Sequence, residues 1–301
     1  MNVGIDLGGS HIGIGLVDSE GKIVTREESF IKLNNRDSVE DYIKNFIIEV
    51  LNKWINIDKI VIDKIGIGVP GVVINNILSY SVNLGLSNFD LIGELKKHFP
   101  DIQYTMQNDA KCAALAEKKI GALKEYDDCV FICLGTGIGG AAFYDGKIIV
   151  PKRSSGFEYG HMIIQKDGEV CKCGSKGCFE QYGSMRKLKN LLKYNLNLDE
   201  EIEGETLREF VRSNKENPIV KNVLNEYIKN LCIGISNIVN ILEPKAICIG
   251  GGFPEYEDIL LEDLKRKFYS GKYLFYKENI PEILIAKLNN DAGIIGSALF
   301  L

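Results

Sequence analysis

The chain has 301 residues, of which 45% are hydrophobic and 26% are charged, and its formal net charge is −5 at pH 7. At about 150 residues per domain this length predicts two domains, and the composition excludes disordered, collagen-like and mini-protein classes. The 36 basic residues are scattered among 41 acidic ones, which argues against a nucleic-acid partner. No apolar run reaches the length of about 18 residues that a membrane helix needs, and no leader is recognisable, so we expect a cytoplasmic protein without a membrane partner.

Hydrophobic periodicity predicts the elements in chain order. Residues 2–28 are predicted to form a β-meander, and further strands are predicted at 64–71, which closes in a Pro-Gly turn, and at 102–106. The predicted helices cover residues 37–54, 90–98, 108–119 and 219–242. A polar stretch at 199–218 is predicted to be a connection. This order of strands and helices indicates an α/β protein.

The second half of the sequence repeats the first. Gly4–Asp18 has the same strand, glycine turn and strand pattern as Phe131–Asp145, and in each case a further strand and turn follow. The strand at Ile65–Gly71 is matched by the strand at Ala246–Gly252, each after a long amphipathic helix. Two similar α/β halves are therefore predicted, and such pairs commonly hold a ligand between them.

Glycine-rich turns follow the strands at three places, near residues 8, 135 and 250. Glycine lets several backbone N–H groups converge on one anion, so these turns predict phosphate binding; a plain hairpin is the alternative for any single turn. Residues 135–140 also satisfy G-x-G-x-x-G. A strand follows that pattern instead of a helix, which argues against a Rossmann dinucleotide site.

Asp6 ends the first strand immediately before the first glycine turn. Its carboxylate would repel a bound phosphate unless a cation lay between them, which points to Mg²⁺ held by one carboxylate and by phosphate oxygens. The alternative is an ordinary turn residue.

Asn108 and Asp109 stand where a strand passes into a helix. Both residue types are favoured as helix N-caps, and taken alone that is the simpler interpretation. The alternative is that Asp109 is a general base within reach of a substrate hydroxyl. The spacing does not decide between them.

Three of the eight cysteines crowd into eight residues, as Cys171, Cys173 and Cys178, with His161 upstream. Three thiolates and one imidazole match a Cys₃His zinc site, and clustered cysteines in a reducing compartment favour metal over a disulfide. Four protein ligands leave no open position, so the predicted zinc is structural. It would fix a loop from which Glu158 and Glu180 could project towards a polyol, although either Glu alone is more typical of a solvated surface.

These motifs together resemble the ROK family of bacterial sugar kinases and repressors, within the actin-like ATPase superfamily. The resemblance covers essentially the whole chain. It rests on the segments Asp6–Ser10, Gly68–Gly71, Asn108–Asp109, Leu134–Gly140, Glu158–His161, Cys171–Glu180 and Gly250–Gly252.

The resemblance implies two ribonuclease-H-like lobes with an interlobe cleft and a zinc-binding loop. The first lobe would comprise 1–107 plus 291–301, the latter a returning helix, and the second lobe 108–290. The implied activity is ATP-dependent phosphorylation of a hexose at the 6-hydroxyl, with Mg²⁺, in a homodimer whose partners are sugar and ATP.

Residue roles also follow from the resemblance. Asp109 would be the catalytic base, and His161 would bind both zinc and sugar. The implied sugar-binding residues are Gly71, Asn83, Asn108, Asp109, Glu158, His161 and Glu180. The implied nucleotide-binding residues are Asp6, Gly8, Gly9, Ser10, Gly135, Thr136, Gly137, Gly250, Gly251 and Gly252.

The sequence departs from the family pattern at three positions. Ser10 replaces the usual Thr, Phe157 stands where Gly commonly precedes the Glu, and Gly85-Leu86 replaces Gly-Trp. Glucose is the leading expected substrate, and N-acetylmannosamine, allose or another hexose stays open, because pocket shape decides between epimers. A sugar-responsive regulator is a remote alternative, since the family's repressors carry an N-terminal helix-turn-helix module and the first glycine turn here already follows Asp6.

Overall fold

The computed structural model describes residues 1–9, 11–31, 38–151, 157–278 and 280–299. The chain divides into two compact units. Unit 1 comprises Met1–Lys124, Val150–Gly156 and Lys287–Leu301, and unit 2 comprises Glu125–Ile149 and Phe157–Ala286. Within the described ranges, no helix combines the length and the apolar character needed to cross a membrane.

The strands are β1 (Asn2–Leu7), β2 (His11–Val17), β3 (Ile23–Phe30), β4 (Lys64–Val69), β5 (Val72–Ile74), β6 (Ile77–Ser81), β7 (Leu86–Phe89), β8 (Gln103–Asn108), β9 (Cys129–Leu134), β10 (Ile138–Tyr144), β11 (Lys147–Ile148), β12 (Ala246–Gly251) and β13 (Glu282–Ile285). The helices are α1 (Val39–Asn52), α2 (Leu91–His98), α3 (Asp109–Lys119), α4 (Glu180–Gly183), α5 (Met185–Leu196), α6 (Gly204–Ser213), α7 (Pro218–Leu242), α8 (Glu257–Phe268) and α9 (Ala292–Leu299).

Polar caps explain where several helices begin. The side chains of Ser38 and Asp90 accept hydrogen bonds from backbone N–H groups in the first turns of α1 and α2, respectively. Asn217 caps α7, and Pro218 occupies its first position, where the missing N–H costs nothing. The predicted helices near 37–54, 90–98, 108–119 and 219–242 are confirmed by these elements.

The sheets of the two units repeat one pattern. In unit 1 the order is β3-β2-β1-β4-β8, with β1, β2 and β3 antiparallel and with β1, β4 and β8 parallel. In unit 2 the order is β11-β10-β9-β12-β13, with the same change from antiparallel to parallel pairing. The predicted duplication is therefore confirmed at the level of topology, and the α/β class with it.

Each unit has its own hydrophobic core. The core of unit 1 is built from β1, β2, β4, α1 and α2 and contains Trp54, the chain's one tryptophan. The core of unit 2 packs β9 and β12 against α5, α7 and α8. Both β1 and β4 are buried almost throughout, as strands covered on both faces are.

Helix α9 lies directly on the sheet of unit 1 because glycines leave room for its backbone. A Cβ at Gly4 would be 1.9 Å from the carbonyl oxygen of Ile294, and a Cβ at Gly66 would be 1.8 Å from that of Ser297. Any side chain at either position would force the helix off the sheet. The segment Lys287–Leu301, which contains α9, accordingly belongs to unit 1.

The structure differs from the sequence analysis at the unit boundary. The predicted second lobe starts at residue 108, whereas unit 1 extends to Lys124 and therefore includes α3. The reason is close packing of α3 on α9, where a Cβ at Gly296 would be 1.7 Å from the carbonyl oxygen of Cys112. Because α9 lies on the first sheet, α3 stays with that unit.

Several elements were not predicted, among them a helix of unit 2 and a small sheet of unit 1. The stretch at 199–218 contains helix α6, which buries Leu207 and Val211 on one face. Strands β5, β6 and β7 form a separate antiparallel sheet in unit 1. Each of these elements is short, so each offers only a few apolar positions from which to recognise a period.

Candidate active site and metal cluster

The four predicted metal ligands converge in unit 2. One ligand atom from each of His161, Cys171, Cys173 and Cys178 lies within 4.8 Å of the others. The Sγ of Cys171 is 3.8 Å from Nδ1 of His161, and the two other sulfur atoms are 3.6 Å apart. Ligands about 2.3 Å from a zinc ion on tetrahedral corners are separated by about 3.7 Å, so the spacing and the donor types both fit zinc.

Local backbone structure creates this cluster. The short 3₁₀ turn Tyr159–His161 supplies the imidazole, and a tight turn in which Cys171 N–H donates to the Ser175 carbonyl supplies two thiols. A hydrogen bond involving the Ser175 backbone lowers the pKa of the exposed Cys173 thiol to about 7, whereas desolvation raises the pKa of Cys178 to about 12. A low thiol pKa favours the thiolate form that metals bind.

Glu180 connects the metal cluster to the second glycine turn. Its Oε2 accepts a hydrogen bond from the backbone N–H of Ile138 at 3.3 Å, and its Oε1 lies 3.7 Å from the Sγ of Cys171. A Cβ at Gly137 would be 2.4 Å from Oε2. The sequence analysis linked Glu180 to the metal loop and to the sugar, and the contact with the glycine turn depends on the tertiary fold.

The predicted nucleotide residues of unit 2 meet at one place. In the turn at 135–137, the Gly135 N–H donates to the carbonyl of Gly137, and the turn at 250–252 is attached to Leu134 through a 2.8 Å hydrogen bond. The backbone N–H of Arg186, in the first turn of α5, donates to the Gly135 carbonyl at 3.2 Å. Sequence reasoning did not connect Arg186 with this turn, because a backbone contact between distant residues leaves no pattern in the sequence.

In unit 1, Asp6 lies at the end of β1 opposite Gly68 of β4. The residue is half-buried, and desolvation by the surrounding atoms raises the pKa of its carboxyl to about 6, against a smaller lowering by His11. A carboxylate so poorly solvated would gain from a divalent cation, and this chemistry fits the Mg²⁺ prediction. Ser10, also predicted there, lies outside the described residues.

Asn83, a predicted sugar-binding residue, lies beside the first glycine turn. A Cβ at Gly9 would be 3.3 Å from the Cβ of Asn83, although the two residues are far apart in sequence. The Gly8 N–H closes the turn by donating to the His11 carbonyl at 2.7 Å. The fold thus brings one sugar candidate and the predicted phosphate turn together within unit 1.

Asn108 and Asp109 occupy the junction of β8 and α3. Asn108 is the N-cap of α3, accepting from the Lys111 N–H, and its Nδ2 donates to the Gly71 carbonyl at 3.3 Å. Asp109 Oδ1 accepts a hydrogen bond from the next backbone N–H, that of Ala110, at 2.8 Å. The capping interpretation is therefore confirmed for Asn108, and the structure joins it to Gly71, another predicted sugar residue.

The negative charges of Asp6 and Asp109 both affect the buried thiol of Cys112. Burial raises the pKa of the Cys112 thiol well above its ordinary value, and the negative charges of both carboxylates raise it further. Cys112 also lies against Gly68, opposite Asp6 in the sheet. Gly68 is in turn opposite Gln107 of β8, so Asp6 and the β8–α3 junction that carries Asp109 lie at the same end of the three parallel strands.

The fold and these sites define a class of protein: a duplicated α/β chain with paired glycine turns and a cysteine–histidine cluster of the metal-binding type. The model of the ROK family matches residues 2–301, and the chain belongs to that family. Its glucokinase relatives support a sugar kinase.

The proteins similar to this chain include both enzymes and repressors. The chain is 29% identical to the glucokinase of Thermotoga maritima, over 98% of this chain and 95% of that protein. It is 27% identical to the xylose repressor of Bacillus subtilis, over 98% of this chain and 75% of the repressor. The crystal structure of a ROK family glucokinase from Streptomyces griseus in complex with glucose and AMPPNP matches with a TM-score of 0.80 at 26% identity, covering 99% of this chain and 98% of the other.

Proposed function

We propose that this protein is an ATP-dependent sugar kinase that transfers the γ-phosphoryl group to the 6-hydroxyl of a hexose, with glucose as the leading substrate. The observation that carries the proposal is the strand register of unit 1: Asp6 of β1 lies opposite Gly68 of β4, Gly68 lies opposite Gln107 of β8, and Asp109 directly follows β8. One carboxylate ends the strand that leads into a glycine turn, and the other begins a helix beside two predicted sugar residues.

In the proposed reaction Asp109 accepts the proton of the 6-hydroxyl as that oxygen forms a bond to the γ-phosphorus and the bond to the ADP oxygen breaks. Backbone N–H groups of the glycine turns would bind the phosphate oxygens. Asp6 would hold Mg²⁺, which when bound neutralises charge on the phosphates. The α3 helix fixes Asp109 in place through the caps at its N-terminus.

Zinc is proposed as a structural ion held by His161, Cys171, Cys173 and Cys178, since its four ligands fill the tetrahedron. With one ring nitrogen on the metal, the other nitrogen of His161 would face the sugar, and Glu158 and Glu180 would accept hydrogen bonds from its hydroxyls. The homodimer and the cytoplasmic location stay predictions; light scattering on the purified protein tests the first.

The decisive assay is turnover with Mg-ATP on a panel of hexoses and N-acetylhexosamines, including glucose, allose and N-acetylmannosamine, with ADP release measured by a coupled assay. We expect glucose to have the highest kcat/KM. A repressor-like sugar-binding protein would bind a sugar in calorimetry without releasing ADP, and that result would refute the proposal.

A variant tests the role of Asp109. Asp109→Ala should lower kcat by about 100-fold or more, as the loss of a general base does, while sugar binding in calorimetry stays measurable. Asp101→Asn, at an exposed position before β8, is the matched control and should keep wild-type turnover. Near-normal turnover of Asp109→Ala would remove Asp109 from the mechanism.

A further inference from the structure

Phe157 has a backbone conformation that a bulky side chain rarely adopts. Its φ is +63°, in the left-handed region, and the residue directly precedes Glu158. The sequence analysis noted Phe here in place of a glycine. Phe157 therefore adopts a left-handed conformation that glycine would adopt without strain. Strain of this kind persists only where surrounding contacts hold it, and it is concentrated at functional sites.

An aromatic contact holds the turn. The ring of Phe157 meets the ring of Tyr159 edge to face, with centroids 6.2 Å apart and an interplanar angle of 85°. Tyr159 is buried, and its ring lies so close to β10 that a Cβ at Gly140 would be 2.8 Å from Cδ2. The Phe157 side chain is itself partly buried against the core of unit 2. The turn is thus attached to β10, the strand that follows the second glycine turn.

Glu158, between the two rings in sequence, lacks any such support of its own. Its side chain is exposed and makes no hydrogen bond or ion pair within the described part of the chain. Its backbone carbonyl accepts a hydrogen bond from the His161 N–H at 3.0 Å. The direction of the Glu158 carboxylate therefore depends on the backbone that the aromatic pair holds.

We propose that Phe157 is a positioning residue that, through its ring contact with Tyr159, fixes the direction in which Glu158 meets the sugar. The inference rests on the proposed function, in which Glu158 binds the sugar. A glycine at this position would leave the turn free to exchange between left-handed and right-handed conformations. The ring removes that freedom before the sugar arrives, and preorganisation of this kind appears as tighter sugar binding.

The test separates the ring from the backbone. Phe157→Asn removes the ring but tolerates the left-handed conformation, and Phe157→Gly removes the ring and frees the backbone. Both should raise the KM for sugar by about tenfold, with kcat and the KM for ATP within about twofold of wild type. Phe157→Tyr retains an aromatic ring and should have the wild-type KM for sugar. Tyr194→Ala, at an exposed aromatic of α5, is the control and should change neither constant.

A double-mutant cycle tests whether Phe157 acts through Glu158. In a Glu158→Gln background, adding Phe157→Asn should leave the sugar KM within about twofold, because the group to be positioned is already altered. Full additivity of the two effects would overturn the inference. So would an equal rise in the KM for sugar and for ATP, or an unchanged sugar KM in both ring-less variants.

The same assay distinguishes this inference from the proposed function. If the wild-type protein phosphorylates none of the sugars in the panel, the proposed function fails and the positioning role falls with it. If the wild type is active and the ring-less variants have its sugar KM, only the positioning role fails. Circular dichroism and zinc content, measured for every variant, identify a loss of folding.

Discussion

Glu117 allows a sharp test of what holds unit 1 together. Its side chain is fully buried near the end of α3, and its carboxylate accepts hydrogen bonds from three backbone N–H groups. Oε1 accepts from Lys287 and Leu288 at 2.8 Å each, and Oε2 accepts from Ala122 at 2.7 Å. The carboxylate therefore ties α3 to a segment 170 residues further along the chain that leads into α9.

The change Glu117→Gln keeps the shape and removes the charge. One amide oxygen can still accept the two bonds from the 287–288 segment, but the amide NH₂ then faces the Ala122 N–H, where two donors oppose each other. A hydrogen bond to a charged group contributes about 1.5–3 kcal/mol, and relief from burying a charge offsets part of the loss. We expect Glu117→Gln to lower the free energy of unfolding of unit 1 by about 3 kcal/mol.

Urea titration followed by tryptophan fluorescence measures this loss. Trp54 is the chain's one tryptophan and lies in the core of unit 1, so its emission reports on that unit even if unit 2 unfolds separately. With a urea m-value of about 2 kcal/mol/M, the midpoint should fall by about 1.5 M. Glu49→Gln, at an exposed position on α1, is the control and should shift the midpoint by less than about 0.3 M. A Glu117→Gln midpoint as close to wild type as that of the control would refute the reasoning.

Two further changes test the packing and the metal site. Gly66→Ala should destabilise unit 1 by about 3 kcal/mol or more in the same titration, because its Cβ would lie 1.8 Å from the Ser297 carbonyl oxygen. The control is Gly68→Ala, whose Cβ would have its nearest neighbour at 3.4 Å and which should cost less than about 1 kcal/mol. Equal losses of stability for the two variants would contradict the packing argument. Cys173→Ser should lower the zinc content below one per chain in elemental analysis and reduce the Tm by about 5 °C or more. Cys173 is exposed, so its substitution should not disturb the hydrophobic core directly. Lys172→Ser, at the neighbouring exposed position, is the control. An unchanged zinc content in Cys173→Ser would argue against Cys173 as a ligand.

The local patterns in the sequence predicted several features correctly. The duplication was visible because both halves repeat the same strand, glycine turn and strand, and the sheets confirm it. The ligand set of the metal cluster was visible because three of its members lie within eight residues, so a tight turn is enough to bring them together. The main helices were predicted because their caps and apolar periods are properties of neighbouring residues.

The roles of the candidate site residues depend on contacts between residues distant in sequence, which periodicity does not encode. In the sequence, nothing distinguishes Glu117 from the other acidic residues of helices. Its hydrogen bonds to the backbone at 287–288 form only in the folded protein. The same holds for the end of unit 1 at Lys124, which follows from the packing of α3 on α9, and for the contact of Glu180 with Ile138.

The sequence by itself thus determined the α/β class, the repeat, the glycine turns and the metal-type ligand set, because each is specified by residues that are close in the chain. The tertiary structure alone decided which helix belongs to which unit and that Phe157 is held in a left-handed conformation. The physical reason is that a long-range contact is stabilised by atoms from two distant segments. Neither segment carries a pattern that identifies the other.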